Sequence, residues 1–295
     1  MKILKKLSLL LIIPLLITGC NLNINNDSME NIEIYTTIYP INYLTNYLYG
    51  EHSKIHSIYP AGVDVDNYKL SKRKLKEYSN SDLFIFNSLD IDKDYAVEMI
   101  NKNSKLKVID VSLGMKFDKS VEEFWLDPSN YLMMAQNIKD GLLEYINNPY
   151  LVSNKDKTGI EDKFEDLKYD ISKIDASLKE VVNNASYKTI VTDTDILKYL
   201  EKYGITVISL EENESLSSNT LSEVDKLISE NKIKYIYSTK EETNSTAKNL
   251  IDKNKLELIT INTMRSVDGG ITNSNDNYIT IMNNNIDLLK KELYK

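Results

Sequence analysis

Acidic and amide side chains recur in the segments that follow predicted strands, where their oxygens can bind a cation. These segments are Pro60–Tyr68, Glu122–Pro128, Val191–Asp195 and Ile261–Met264. In open αβ sheets, ligands bind beyond the carboxyl ends of the strands. Carboxylate and amide oxygens suit manganese, magnesium and calcium, whereas imidazole suits zinc and other borderline metals. The four segments are therefore the candidate binding segments of this chain.

The elements that must position these segments form two similar halves. Apolar runs of strand length alternate with amphipathic runs of helix length, which predicts parallel sheets flanked by helices. The predicted strands are Ile32–Thr37, Ile55–Tyr59, Leu83–Asn87 and Leu106–Asp110 in the first half, and Thr189–Thr192, Thr206–Leu210, Lys234–Tyr237 and Glu257–Ile261 in the second. We predict an α/β fold with two (β/α)4-type parallel-sheet domains, residues 32–150 and 185–295, joined by one long helix.

The segment between the halves, residues 151–184, has the most regular periodicity in the chain. Its apolar positions are spaced alternately by four and three residues, and they are Ile160, Phe164, Leu167, Ile171, Ile174, Leu178 and Val181. This spacing places one apolar stripe along one long helix. A coiled-coil dimer would bury such a stripe, but the flanking domains can bury it without a partner. We therefore expect a monomer in which this helix links two domains across a cleft.

The first nineteen residues have the features of a bacterial lipoprotein signal peptide. Three lysines precede the apolar run Leu7–Ile17, which is too short for a bilayer span of about 20 residues. A Thr-Gly pair then precedes Cys20, the only cysteine of the chain, as in a lipobox. An ordinary signal peptide with a chance cysteine is the alternative. We expect Cys20 to carry a lipid and residues 20–31 to tether the protein to the extracytoplasmic face of the membrane.

Composition excludes several classes of function. Removal of residues 1–19 leaves 33 basic and 44 acidic residues, a net charge of about −11, which argues against nucleic acid as a partner. An enzyme is not expected, because His52 and His56 lie near no plausible nucleophile and the chain has no glycine-rich phosphate loop. A carboxylate pair can serve a glycosidase, but nothing in the sequence marks a substrate groove.

Three motifs resemble those of the solute-binding proteins of bacterial zinc and manganese ABC importers. Pro60–Tyr68 is similar to the family's P-G-V-D-P-H-D-Y segment, and Glu123–Pro128 is similar to its H-x-W-L-D-P segment. The spacing of 11 residues from Asp193 to Gly204 also matches the family. The resemblance extends from Ile32 to the C-terminus. It implies capture of a metal ion outside the membrane and its delivery to an ABC permease and ATPase.

The resemblance places the family's metal ligands on residues of other types. Its two histidines fall on Asp66 and Glu123, its third ligand on Asp193, and its final aspartate on Asn262 or, with a small shift, on Asp268. Three carboxylates without a cation would repel one another by about 4 kcal/mol per pair at 4 Å. We therefore hypothesise that Asp66, Glu123, Asp193 and Asn262 bind a hard divalent cation, manganese before calcium or magnesium.

Two alternatives to this hypothesis stay open. Loss of both family histidines is also what a retired metal site would show, in which case the lipoprotein would act through its surface in adhesion or another interaction. An acidic cleft can also hold an organic cation, for which Tyr39, Tyr68 and Trp125 would offer ring faces. For Trp125, packing between domain and loop is the favoured role.

Overall fold

The computed structural model describes residues 29–146, 154–213, 216–265 and 277–295. The predicted signal peptide, Cys20, most of the tether and Asp268 lie outside these ranges. The strands are β1 (Ile32–Thr36), β2 (Ser53–Ser57), β3 (Leu83–Phe86), β4 (Lys107–Asp110), β5 (Thr189–Thr192), β6 (Thr206–Ser209), β7 (Tyr235–Ser238) and β8 (Glu257–Thr260). The helices are α1 (Tyr39–Tyr49), α2 (Lys72–Tyr78), α3 (Asp92–Lys102), α4 (Glu123–Leu126), α5 (Pro128–Ile146), α6 (Asn154–Asn183), α7 (Ser218–Ser229), α8 (Ser245–Asn254) and α9 (Tyr278–Leu293), and a 3₁₀ helix spans Asp195–Tyr203.

The strands form two parallel four-stranded sheets, one in each lobe. Their orders are β2-β1-β3-β4 and β6-β5-β7-β8. The predicted α/β class with two parallel sheets is confirmed. The strands lie within one residue of their predicted bounds except β2, which is displaced by two residues because β1 pairs in register with Ser53–Ser57 rather than with the apolar run that ends at Tyr59. Ile58 and Tyr59 are buried just beyond the strand end instead.

The strand order places the functional segments at one edge of each sheet. In both sheets the chain moves from the second strand back across the first to the third, so the connections diverge beside the first strand. Such switch points open a crevice at the carboxyl ends of the strands. The segments after β2, β3 and β4 therefore meet at the edge of the first lobe, and those after β5, β7 and β8 meet at the edge of the second.

Helix α6 packs its apolar stripe inside a single chain. All seven stripe residues, from Ile160 to Val181, are buried at 5% exposure or less. The helix packs against α5 of the first lobe and α9 of the second, and the stripe belongs to one apolar core with residues of both lobes. The stripe therefore needs no second copy to cover it. Within the described ranges, no helix is long and apolar enough to cross a bilayer.

A buried aromatic seam joins the two lobes. Trp125 of α4 is fully buried and donates its indole N–H to the carbonyl of Thr263, which follows β8, at 2.6 Å. The Tyr278 hydroxyl of α9 donates to the carbonyl of Trp125 at 2.6 Å, and its ring stacks on Tyr131 with centroids 3.7 Å apart. The favoured packing role of Trp125 agrees with this environment. The seam fixes the position of one lobe against the other beside the cleft.

The segment after β5, where the alternation of strands and helices predicts a helix, is a 3₁₀ helix. It spans Asp195–Tyr203 and ends at Gly204, whose φ of +94° suits glycine. The Asp195 N–H donates to Glu211 at 2.8 Å, and the Lys198 ammonium donates to the Val207 carbonyl at 2.5 Å. These contacts with β6 and the residues after it hold the segment against the sheet.

Candidate functional site

A cleft of about 540 Å³ lies between the lobes at the carboxyl ends of the strands. The first lobe contributes acidic residues to its lining, and the second contributes hydroxyl, amide and basic groups. Principal lining residues are Asp64, Asp66, Glu122, Thr194, Lys240, Asn262 and Arg265. Neither histidine of the chain lines it: His52 pairs with Glu30, and His56 lies 3.7 Å from Glu33. The polar groups that line the cleft are therefore carboxylates, hydroxyls, an amide and two basic side chains.

Arg265, which follows β8, lies among three acids of the first lobe. These acids, Asp66, Asp90 and Glu122, form the acidic wall. Its Nε donates to Asp66 Oδ1 at 2.8 Å, and its Nη1 lies 2.8 Å from Asp90 Oδ2 and 3.7 Å from Glu122 Oε1. Only 12% of the side chain is exposed. Burial opposes the charge, but Asp90, Glu122 and Asp66 outweigh it and raise the pKa of Arg265. The guanidinium is thus a cation that is hydrogen-bonded to Asp66 and ion-paired with Asp90 and, at the longer distance, Glu122 of the opposite lobe.

Asp66 lies in a tight turn after β2. The Asp64 carboxylate accepts from the Asp66 N–H at 3.0 Å and from the Asn67 amide at 2.7 Å. The bond from Asn67 is the main reason that the pKa of Asp64 is lowered. This turn leaves the Asp66 side chain 49% exposed at the cleft, paired with Arg265. Asp66 therefore lies where the sequence places it, but it already has a cationic partner.

Glu123, the second predicted ligand, is turned away from the cleft lining. It is buried, and its carboxylate accepts backbone N–H groups from Asp118 at 3.1 Å, Lys119 at 2.9 Å and Ser120 at 3.1 Å. It therefore closes the loop that leads into α4. The adjacent acid Glu122 lines the cleft in its place. Movement of Glu123 toward a cation would leave three backbone donors without this acceptor.

Asp193, the third predicted ligand, is a buried carboxylate at the end of β5. Its Oδ2 accepts from the Ser238 hydroxyl at 2.6 Å and from the Thr243 hydroxyl at 2.7 Å. Its Oδ1 is buried and has no hydrogen-bond partner among the described residues, and the same holds for Oγ1 of the cleft-lining residue Thr194. Two buried oxygens beside the cleft therefore accept no hydrogen bond from the described residues, and one of them belongs to a carboxylate that Ser238 and Thr243 hold in place.

Asn262, the last predicted ligand, lines the cleft and also shapes its own loop. Its Oδ1 accepts the Met264 N–H at 2.8 Å, in a turn that leads Met264 to a φ of +59°. Its backbone N–H and carbonyl both bind the side chain of Asn285 in α9. The amide oxygen therefore has one lone pair free for a ligand.

The structure thus brings Asp66 and Asn262 to one cleft, places Asp193 directly before a lining residue, and turns Glu123 aside. Across the ranges that the structure describes, no three His, Cys, Asp or Glu side chains form a group able to hold a metal ion. The four-ligand site therefore stays a prediction. Sequence reasoning missed Asp90, Glu122 and Arg265. One signal was available for Arg265, since Arg73 is the only other arginine among 36 basic residues.

Asp92 is a buried acid in the same lobe as the acidic wall. It begins α3 at 1% exposure and accepts the Tyr59 hydroxyl at 2.7 Å. Burial raises the pKa of Asp92 to about 6, although the Thr37 and Tyr59 hydroxyls act in the opposite direction. The folded protein therefore binds a proton at Asp92 more readily than an unfolded chain, in which an aspartate has a pKa of about 3.9.

This difference predicts a pH-dependent stability. Because the folded pKa is raised, the folded state takes up more protons than the unfolded state between these pKa values, and its stability rises as pH falls. We expect the Asp92 contribution to the free energy of unfolding to increase by about 1 kcal/mol from pH 7 to pH 5. Urea unfolding of wild type and Asp92→Asn at both pH values measures it. A difference between the two proteins that does not change with pH would contradict the prediction.

Comparison with known families places these features in context. The family model of ZnuA, the periplasmic component A of a zinc-uptake complex, matches residues 34–292. That range contains both sheets except the first two residues of β1, the linking helix and every described residue of the cleft.

Individual relatives are distant in sequence. The zinc-binding lipoprotein AdcA of Streptococcus pneumoniae (strain ATCC BAA-255 / R6) is 23% identical over 314 residues, which cover 97% of this chain and 61% of AdcA. The manganese ABC transporter substrate-binding lipoprotein PsaA of Streptococcus pneumoniae is 24% identical over 199 residues, covering 61% of this chain and 62% of PsaA. The chain thus spans about three fifths of the length of these curated relatives.

The fold has a close counterpart among solved structures. The crystal structure of the Zn(II)-bound ZnuA-like domain of Streptococcus pneumoniae AdcA matches with a TM-score of 0.73 and 21% identity. The match covers 90% of this chain and 100% of that domain. At this level of identity the likeness establishes the two-lobed fold.

Proposed function

Since the chain belongs to the ZnuA family of zinc-uptake components, we propose that it captures a divalent cation outside the membrane and delivers it to an ABC permease and its ATPase. In this proposal Cys20 carries the lipid that anchors the protein to the extracytoplasmic face of the cell membrane. No chemical step is catalysed. The cation is cargo, bound in the cleft between the lobes and released to the permease.

The observation that carries the proposal is the set of oxygen groups at the interlobe cleft. Carboxylates, an amide and hydroxyls suit manganese, calcium and magnesium, and the described residues of the cleft lining include no imidazole or thiolate that would favour zinc. The proposed cargo is therefore a hard cation, with manganese first. Its histidine-free site would differ in chemistry from the family's usual one while the fold around it is the same.

Three of the four predicted ligands have a geometry that supports this role. Asp66 and Asn262 line the cleft, and Asp193 offers an oxygen that has no partner among the described residues. We propose these three as ligands. Glu123 would join them only by leaving three backbone N–H groups, and each such loss costs about 1–3 kcal/mol. The neighbouring Glu122 is better placed to supply the fourth oxygen.

The proposal predicts an order of effects at two of these positions. Asp193→Ala is expected to weaken manganese binding by at least about tenfold, because a charged ligand is lost, whereas loss of the neutral Asn262 has a smaller effect. Calorimetric titration of chelator-treated protein with Mn²⁺ and Zn²⁺ measures both. Asp140→Ala, at an exposed acid of α5, is the matched control. Equal and negligible effects of Asp193→Ala and Asn262→Ala would show that the cation binds elsewhere or not at all.

A second candidate function has its own supporting observation. Arg265 already neutralises part of the acidic wall through Asp66, Asp90 and Glu122. A protein whose cleft is permanently occupied in this way would be a retired importer component that acts through its exterior. Absence of binding for manganese, calcium and zinc in the wild-type protein would favour this second function.

A further inference from the structure

We propose that Arg265 decides whether the cleft takes a cation, because its guanidinium occupies the place among the carboxylates that a divalent cargo would need. The inference rests on the proposed function, in which this cleft is the cargo site. It goes further in assigning to one side chain the control of affinity. Arg265 belongs to the lobe opposite the acids that it holds, so it acts as an internal cation that spans the cleft.

The contacts of Arg265 reach one acid from each of three segments of the first lobe. Asp66 comes from the segment after β2, Asp90 from the one after β3 and Glu122 from the one after β4. Acids brought this close require a cation or a proton. A planar guanidinium can hold two carboxylates at once through its separate nitrogens, and it stays charged at any working pH. The negative charge of the acidic wall is thus already compensated in part by Arg265 without cargo.

A divalent cation must therefore displace this arrangement. To bind Asp66 Oδ1 it would have to break a 2.8 Å ion pair. It would also leave a guanidinium that is only 12% exposed beside a second positive charge. Loss of a partner from a buried ion pair is unfavourable, because the charge that stays behind is less well compensated. The ion pairs of Arg265 consequently oppose binding of any cation at the first lobe, whatever its preference among ligands.

The second lobe contributes an independent observation, which is that two of its oxygens beside the cleft have no partner among the described residues. Asp193 Oδ1 and Thr194 Oγ1 are buried and have no hydrogen-bond partner among the described residues. Asp193 is 4% exposed and held by two hydroxyls, so its free oxygen is a prepared acceptor. The groups that would complete a cation site with it are the carboxylates that Arg265 holds. Removal of the guanidinium would therefore free them for a cation shared by the two lobes.

Lys240 provides an internal comparison for Arg265. It lines the same cleft and carries the same charge, but none of the ion pairs found among the described residues involves it. Its effect on a bound cation is the screened effect of an exposed charge. A neutral residue at position 240 therefore changes the net charge of the cleft without releasing a carboxylate.

The test is calorimetric titration with Mn²⁺ alone of full-length wild type, Arg265→Gln and Lys240→Gln, each freed of metal by chelation. We expect Arg265→Gln to bind Mn²⁺ at least about tenfold more tightly than wild type, and Lys240→Gln to change the affinity by less than about threefold. Thermal unfolding by circular dichroism establishes that each variant is folded. If Arg265→Gln unfolds below the titration temperature, Arg265→Lys replaces it, and its affinity for Mn²⁺ is expected to exceed that of wild type because an ammonium cannot hold two carboxylates through separate nitrogens.

The outcomes separate this inference from the proposed function. Equal, measurable affinities in wild type and the Arg265 variant overturn the inference and leave the function standing. Binding in the variant but none in wild type supports the inference and overturns delivery of manganese by the natural protein. Equal gains in Arg265→Gln and Lys240→Gln show a general charge effect and overturn the inference. No binding in any protein overturns both.

Discussion

Replacement of Trp125 by alanine is expected to lower the free energy of unfolding by about 4 kcal/mol, within the range of about 3–5 kcal/mol for Trp or Phe truncation in a core. Trp125 is fully buried, and it is bound at both its indole N–H, by Thr263, and its carbonyl, by Tyr278. The change removes the largest buried side chain at the seam and leaves the Thr263 carbonyl without its donor. Urea unfolding followed by circular dichroism measures the loss.

Two further variants serve as controls for the effect of Trp125→Ala on stability. Trp125→Phe keeps an apolar ring but no N–H, so about half of the loss is expected to remain. Phe117→Ala changes an aromatic residue near the same helix, but Phe117 is 41% exposed and should contribute less than about 1 kcal/mol. A stability of Trp125→Ala equal to that of Phe117→Ala would show that the seam does not hold the lobes together.

Replacement of Glu292 by alanine should have the next largest effect, a loss of about 3 kcal/mol. Glu292 of α9 has no exposed surface, and its Oε2 accepts the backbone N–H groups of Lys234 at 3.1 Å and Tyr235 at 2.9 Å. The same carboxylate pairs with Lys295. The carboxylate therefore provides the hydrogen-bond acceptor for the two backbone N–H groups at the start of β7. Each buried donor left without an acceptor costs about 1–3 kcal/mol.

Glu292→Gln and Glu230→Ala are the controls for this prediction. Glutamine keeps one acceptor oxygen for the two backbone donors and loses the charge, so its effect should be smaller than that of alanine. Glu230 is paired with Lys232 at the surface, where an exposed ion pair contributes little. Thermal melting by circular dichroism ranks the three. Glu292→Ala melting together with Glu230→Ala would contradict a structural role for the buried carboxylate.

The long helix and the two sheets are predictable from the sequence because their signals are local. Seven apolar residues at helical spacing leave one face to bury, and every one of them is buried between the lobes. The strands are recognisable as short apolar runs between helices. The strand β2 is nevertheless displaced by two residues, because pairing with β1, not hydrophobicity, sets its register. Periodicity specifies which elements form, and pairing specifies where they end.

The contents of the cleft are less predictable because they depend on distant partners. The sequence resemblance predicts a ligand at Glu123, yet three consecutive backbone N–H groups nearby donate to its carboxylate. Arg265 meets Asp66 across 199 residues of sequence, and no spacing rule connects them. The types of residue at the ends of strands were informative about chemistry. Their orientations were decided by competition among acceptors that only the folded chain brings together.

The position of Trp125 has an optical consequence. It is the only tryptophan of the chain, it is hydrogen-bonded to Thr263 across the seam, and its ring lies 5.9 Å from the Arg265 guanidinium. Indole emission responds to hydration and to nearby charge. The unlabelled protein therefore carries one indole, which can be excited selectively over the tyrosines, beside its cleft, and the wavelength of its emission reports whether the lobes have separated or the guanidinium has moved.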